Sequence, residues 1–209
     1  YLPQGSKGSA QEPTTPRIKM SDWSAAYRKL AVEPTKDDAE WSIELKLPPA
    51  GDPARDVLAG LSLADKELNE VCAAAALPRS QFPTHDEEGF TMLLRHVSVL
   101  KGIQQVLQLR CAAHLATGET DAAFADATNA LNVADLLREE PLLISQLVRY
   151  AQIHLAASTV WQGVADHRWS DNQLAEFQRQ LSRFDCPSSI VLAMEGERAL
   201  GIASMDRMM

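Results

Sequence analysis

The sequence predicts an all-α fold of antiparallel helix pairs, arranged as an irregular solenoid or bundle, and three observations carry that expectation. Alanine and leucine dominate a chain in which hydrophobic residues are 45% and aromatics only 6%. That mixture suits helices and leaves few of the β-branched and aromatic side chains that fit a pleated surface. Apolar residues recur at three- and four-residue intervals through much of the second half, the spacing of one helix face. No convincing run of alternating apolar and polar residues suggests a strand. At 209 residues the chain is long enough for a proper hydrophobic core.

Residues 1–19, "YLPQGSKGSAQEPTTPRIK", read as a flexible linker or tether, because almost no large apolar residue offsets the entropy of ordering them. The remainder, 20–209, reads as a single helical domain. Ser21 is an expected N-cap for a short helix that sets Trp23, Tyr27 and Leu30 on one face and stops at Pro34. A second short helix is expected over 36–46, and "LPPAGDP" then breaks the chain. Asp52 followed by Pro53 is an N-cap with proline at the first helical position. Two helical segments follow before Pro78, the second being "LADKELNEVCAAAAL".

"PRSQFPTHDEEG" is a loop whose acidic residues precede the next helix, where carboxylates complement the helix dipole. His85, Asp86, Glu87 and Glu88 also have the side-chain types of a metal site. A long helix is expected over 90–117, with a stripe of Leu93, Val97, Leu100, Ile103, Leu107 and Cys111, ended by Gly118. Thr120 or Asp121 should cap the next helix, which runs to about Glu140 before Pro141. The segment 142–166 is apolar around most of its circumference, as in a helix with neighbours on several sides. "SDNQ" is a capping box opening a helix to about Phe184. "CPSS" reads as a break, and a last helix is expected from Ile190 to about Met205.

In the helix after Gly118, Ala123, Ala127, Ala130 and Ala134 lie on one face and let a neighbouring backbone approach closely. Phe124, Leu131 and Leu137 widen that contact, while Asp126, Asn129 and Asn132 fall elsewhere, with solvent available to them. The segment 107–141 resembles the second half of a tetratricopeptide repeat, with Gly118, Ala123 and Ala130 at its small-residue positions. The run from "LRCAAHLATGETDAAFADATNAL" through "EEPLLISQLVRYAQIHLAAST" to "LAMEGERALG" resembles a family of uncharacterised bacterial proteins that are exported or membrane-tethered. The resemblance implies a helical, repeat-like fold and an extracytoplasmic location, and implies no activity.

The formal net charge of −8 argues against a nucleic-acid partner, which needs a clustered Lys/Arg surface. No apolar stretch reaches the roughly 20 residues that cross a bilayer. Three cysteines, Cys72, Cys111 and Cys186, read as free thiols rather than a disulfide framework. Cys111 and His114, one turn apart, are candidate metal ligands, with His154 from another helix as a third; zinc needs three or four such ligands. His96 lies about 27 Å along the helix from His114 and cannot join them. His154 and Ser158 share a helix, but no nucleophile elbow accompanies them. Glu195, Glu197 and Arg198 in "MEGERALG" are weak candidates for a partner-binding edge.

No GxGxxG, Walker A or HExxH motif occurs, so neither a cofactor nor a catalytic activity is expected. The reading that best fits is a non-enzymatic helical scaffold at the cell envelope that recognises a protein or peptide. The alternative is a small-ligand or metal-binding protein with its pocket near His114, His154 and Trp161.

Overall fold

The computed structural model describes residues 18–32, 51–84 and 92–208. The helix expected over 36–46 and the acidic group His85–Glu88 lie outside them. Eight α-helices and no strand occur among the described residues: α1 (Met20–Val32), α2 (Pro53–Leu61), α3 (Asp65–Ala75), α4 (Arg95–Thr117), α5 (Thr120–Asp135), α6 (Leu143–Ala165), α7 (Asp171–Leu181) and α8 (Cys186–Met208). A 3₁₀ turn, Ser62–Ala64, joins α2 to α3.

Several ends follow local chemistry legible in the sequence. Asp52 accepts a hydrogen bond from the Ala54 backbone N–H at 3.0 Å, and Pro53 begins α2 where a missing N–H costs nothing. Gly118 is left-handed at φ 83°. The N–H groups of Gly118 and Glu119 close back on the Leu115 and His114 carbonyls, the hydrogen-bond pair that ends a helix. Ser170 and Gln173 form the reciprocal capping box of α7.

Other ends differ from expectation. Neither Thr120 nor Asp121 caps α5; Glu119 occupies the boundary without a side-chain cap, because the preceding turn leads directly into the helix. α5 stops at Asp135 and three successive turns carry the chain to Glu140. α4 begins at Arg95, so Leu93 lies before the helix and is exposed instead of joining the stripe. "CPSS" is the first turn of α8 rather than a break. Asp185 accepts hydrogen bonds from the backbone N–H and hydroxyl of Ser188, and Pro187 sits where proline is tolerated in a first turn. α7 accordingly closes at Leu181 instead of Phe184.

α4 packs on α5, α2 and α6, while α5 packs on α3, α6 and α7; α8 lies against α6 and α1 against α2. The apolar core is richest between α4 and α5, where Leu107, Cys111, Leu131, Leu137 and the four alanines 123, 127, 130 and 134 are wholly buried. The alanine stripe thus makes the close approach its spacing implied. At the far end Trp169, Phe124 and Phe177 meet edge to face or tilted. Gly163 lets Trp169 fold back onto α6: a β-carbon there would lie 2.0 Å from the indole, whose N–H donates to the Val160 carbonyl.

α6 departs most from its sequence reading. Its buried face carries Ser145, Gln146, Arg149, Gln152 and Thr159, while Ile144, Leu147 and Trp161 are about half exposed at 52%, 51% and 48%. Its first half is polar inward and apolar outward, while Ala156 and Val160 of its second half join the apolar core. The Gln104 and Gln152 side-chain amides are buried without a protein hydrogen-bond partner at either N or O.

A groove at the α5–α6 connection

One segment, Leu136–Gln146, is gripped from four directions. Ser80 in the α3–α4 connection donates to the Leu136 carbonyl at 2.5 Å, and Arg138 returns a bond to the Pro78 carbonyl at 3.1 Å. From α4, His96 Nε2 lies 3.1 and 3.0 Å from the two Glu140 carboxylate oxygens. The His96 ring is stacked on Phe82, with centroids 4.5 Å apart. From the first turn of α6, Gln146 Nε2 donates to the carbonyls of Leu137 and Glu140 at 2.7 and 2.8 Å, satisfying turn acceptors that no helix supplies. From α8, Glu197 accepts the Leu143 backbone N–H at 3.0 Å, a carboxylate at the positive end of α6.

Gly196 completes the grip. A β-carbon there would lie 1.8 Å from the Pro141 carbonyl oxygen, so only glycine permits α8 to pass this close. The surrounding surface is a groove of about 560 Å³ between residues 80–84, the 136–142 connection and the 196–203 face of α8. Leu142, Leu200, Ala199, Ala203 and Phe82 provide its apolar lining, with Glu139 on its polar side. Glu139 is half exposed at its side chain, whereas Glu140 is largely buried and engaged by His96.

The sequence-predicted site residues fall in different surroundings. Cys111 is wholly buried and its thiol donates to the Ala123 carbonyl. Burial pushes that thiol's pKa upward, with the Asp126 carboxylate adding to the shift, so it is no nucleophile. His114 Nδ1 lies 2.9 Å from Asp126 Oδ2, while Arg110 donates twice to Oδ1 at 2.8 and 2.6 Å. Asp126 is therefore buried, at 2% exposure, rather than facing solvent. Its α-helical phase placed it off the alanine stripe, but Arg110 and His114 from α4 cover that side.

His154 is exposed on α6, and Trp161 stands on the same helix's outer side. Among the described residues no group of three or more His, Cys, Asp or Glu side chains is disposed to hold a metal ion. Glu195 and Arg198 are exposed, but Glu197 is the cap on α6. No described helix is long and apolar enough to cross a membrane. Sequence reading missed the groove because its walls come from loops and a helix far apart in the chain. "MEGERALG" held the one local signal, a glycine beside a glutamate within a helix.

Compared with known protein families, curated proteins and solved structures, the chain matches none.

Proposed function

We propose that the chain is a non-enzymatic helical scaffold at the cell envelope, and that the groove receives an apolar segment of a protein or peptide partner. The observation carrying this reading is the groove itself, about 560 Å³ with an apolar lining and walls fixed by hydrogen bonds. A pre-formed concavity lowers the ordering cost of binding. Glu139 on its polar side and the net charge of −8 favour a partner with a basic residue beside its apolar run.

The helix arrangement supports an irregular, tetratricopeptide-like solenoid as the scaffold. α4 and α6 run in the same direction, as the Gln108–Ser158 and His96–Glu140 pairs indicate, with α5 packed against both. The envelope location rests on the linker-like composition of residues 1–19. The small-ligand alternative draws no comparable support: His154 and Trp161 are on the exposed side of α6, and His114 is bonded to Asp126 between α4 and α5.

The test is selection of displayed random peptides on the whole chain, followed by binding to Ala203→Glu and Glu139→Lys variants. The expected result is enrichment of apolar peptides bearing Lys or Arg. Their affinity should fall about tenfold or more when Glu blocks the groove. No enrichment, or binding indifferent to both substitutions, would remove the groove from the account.

A further inference from the structure

α8 presents a second surface, separate from the face that lines the groove. Val191, Met194, Ile202 and Met205 are 58%, 57%, 56% and 66% exposed, four large apolar side chains on one helix. With Arg198 they follow steps of three, four, four and three residues, which sets all five along one stripe. α8 runs antiparallel to the first half of α6: Arg149 donates to Ser189, Tyr150 to the Cys186 carbonyl, and Leu143 to Glu197. Ser189, which meets Arg149 of α6, is buried on the opposite side of α8, so the stripe looks away from α6. Scattered exposed apolar residues are ordinary, but a set aligned along one helix marks an interface.

The stripe says which partner fits. Its spacing reads the same in both directions about Arg198. Two copies of α8 laid antiparallel across a two-fold axis at that residue would set Val191 against Met205 of the other copy and Met194 against Ile202. Arg198 would meet its own counterpart at the axis, an unfavourable pairing unless each guanidinium finds a carboxylate. Glu195, exposed one turn earlier, supplies it: across the axis Arg198 of one copy lies about one helical turn from Glu195 of the other. We infer that the exposed stripe of α8 is a two-fold interface with a second copy of this chain. Such an isologous contact closes on itself and builds no filament.

Sedimentation equilibrium of the whole chain across micromolar concentrations tests this directly. The expected result is a monomer–dimer equilibrium, with Met194→Glu and Ile202→Glu each weakening dimerisation about tenfold or more. Both positions are exposed, and circular dichroism should show their helix content intact. Arg198→Glu and Glu195→Arg should each weaken self-association, yet the two variants mixed should pair preferentially with each other. That preference depends on contact between chains and not on an ion pair within one. A chain monomeric at every concentration, or a dimer unaffected by all four substitutions, would overturn the inference. Because neither face depends on the other, failure here leaves the groove reading standing.

Discussion

The α4–α5 hairpin and the α6–α8 region are built from similar helices with opposite interiors. Between α4 and α5 the buried residues are Leu107, Cys111, Leu131 and a column of alanines, with polar side chains gathered at one buried carboxylate, Asp126. On the first half of α6 the buried side is Ser145, Gln146, Arg149 and Gln152, with Ala156 and Val160 buried further along, and the apolar Ile144, Leu147 and Trp161 face outward. The first region is held by apolar burial. The second is held by directional bonds: Arg149, wholly buried, donates to Ser189 on α8 and to Asp135 at the end of α5, with its guanidinium 5.5 Å from the Phe184 ring centroid. Hydrogen bonds fix geometry more narrowly than apolar contact does, which suits a segment that forms the wall of a groove.

The contrast can be broken most sharply by truncation in each region. Leu107→Ala, at a site with no exposure, should lower unfolding free energy by about 3 kcal/mol in denaturant titration. Arg149→Ala should cost a comparable ~2–4 kcal/mol, because it empties a wholly buried site, removes the donor to Ser189, which keeps its bond to the Asp185 carbonyl, and weakens the partnering of Asp135, which keeps Arg138. The two should differ in kind. Arg149→Met, which refills volume without charge, should recover part of the loss, whereas no polar replacement at Leu107 should.

Smaller effects follow at the two helix-ending turns, where the regions again differ. Gly118 after α4 and His167 after α6 both adopt positive φ, 83° and 50°. Gly118→Ala should destabilise by about 1 kcal/mol, and His167→Gly should stabilise by up to about 1 kcal/mol, since only glycine tolerates that backbone freely. A still smaller change is expected from Gln104→Leu combined with Gln152→Leu. Their buried amides lack protein partners, so apolar replacements of similar volume should leave stability within about 1 kcal/mol or raise it. A loss of several kcal/mol would show that these amides hold essential bonds.

Cys111 adds a pH prediction confined to the first region. Its folded pKa is raised, burial being the main cause, so the folded state resists ionisation that the unfolded chain undergoes near the ordinary thiol value of ~8.5. Its stabilising contribution is complete below that pH and is lost progressively above it. Cys111→Ala should flatten the alkaline decline in stability measured by denaturant titration, whatever its cost at neutral pH.

The legibility of the sequence followed the same divide. Gly118, the alanine column, Asp52–Pro53 and "SDNQ" each act within one or two helical turns, and their residue types alone specify the outcome. α6 was legible as a helix but not as an oriented one. Its apolar residues surround the axis, and Arg149 and Gln146 choose the inward side only because Ser189, Asp135 and the 137–140 carbonyls await them from distant segments. Asp126 was misread for the same reason, since its partners sit on α4. Proline misled at 187, where a helix start and a helix break share one signature.

The most direct measurement is hydroxyl-radical footprinting of the whole chain at low concentration, read residue by residue by mass spectrometry. The inverted orientation of α6 predicts strong oxidation of Trp161 and Leu147 and protection of Trp169 and Phe177, which are 8% and 2% exposed. Protection of Trp161 and Leu147 equal to that of Trp169 would mean that α6 turns its apolar side inward, contradicting the account.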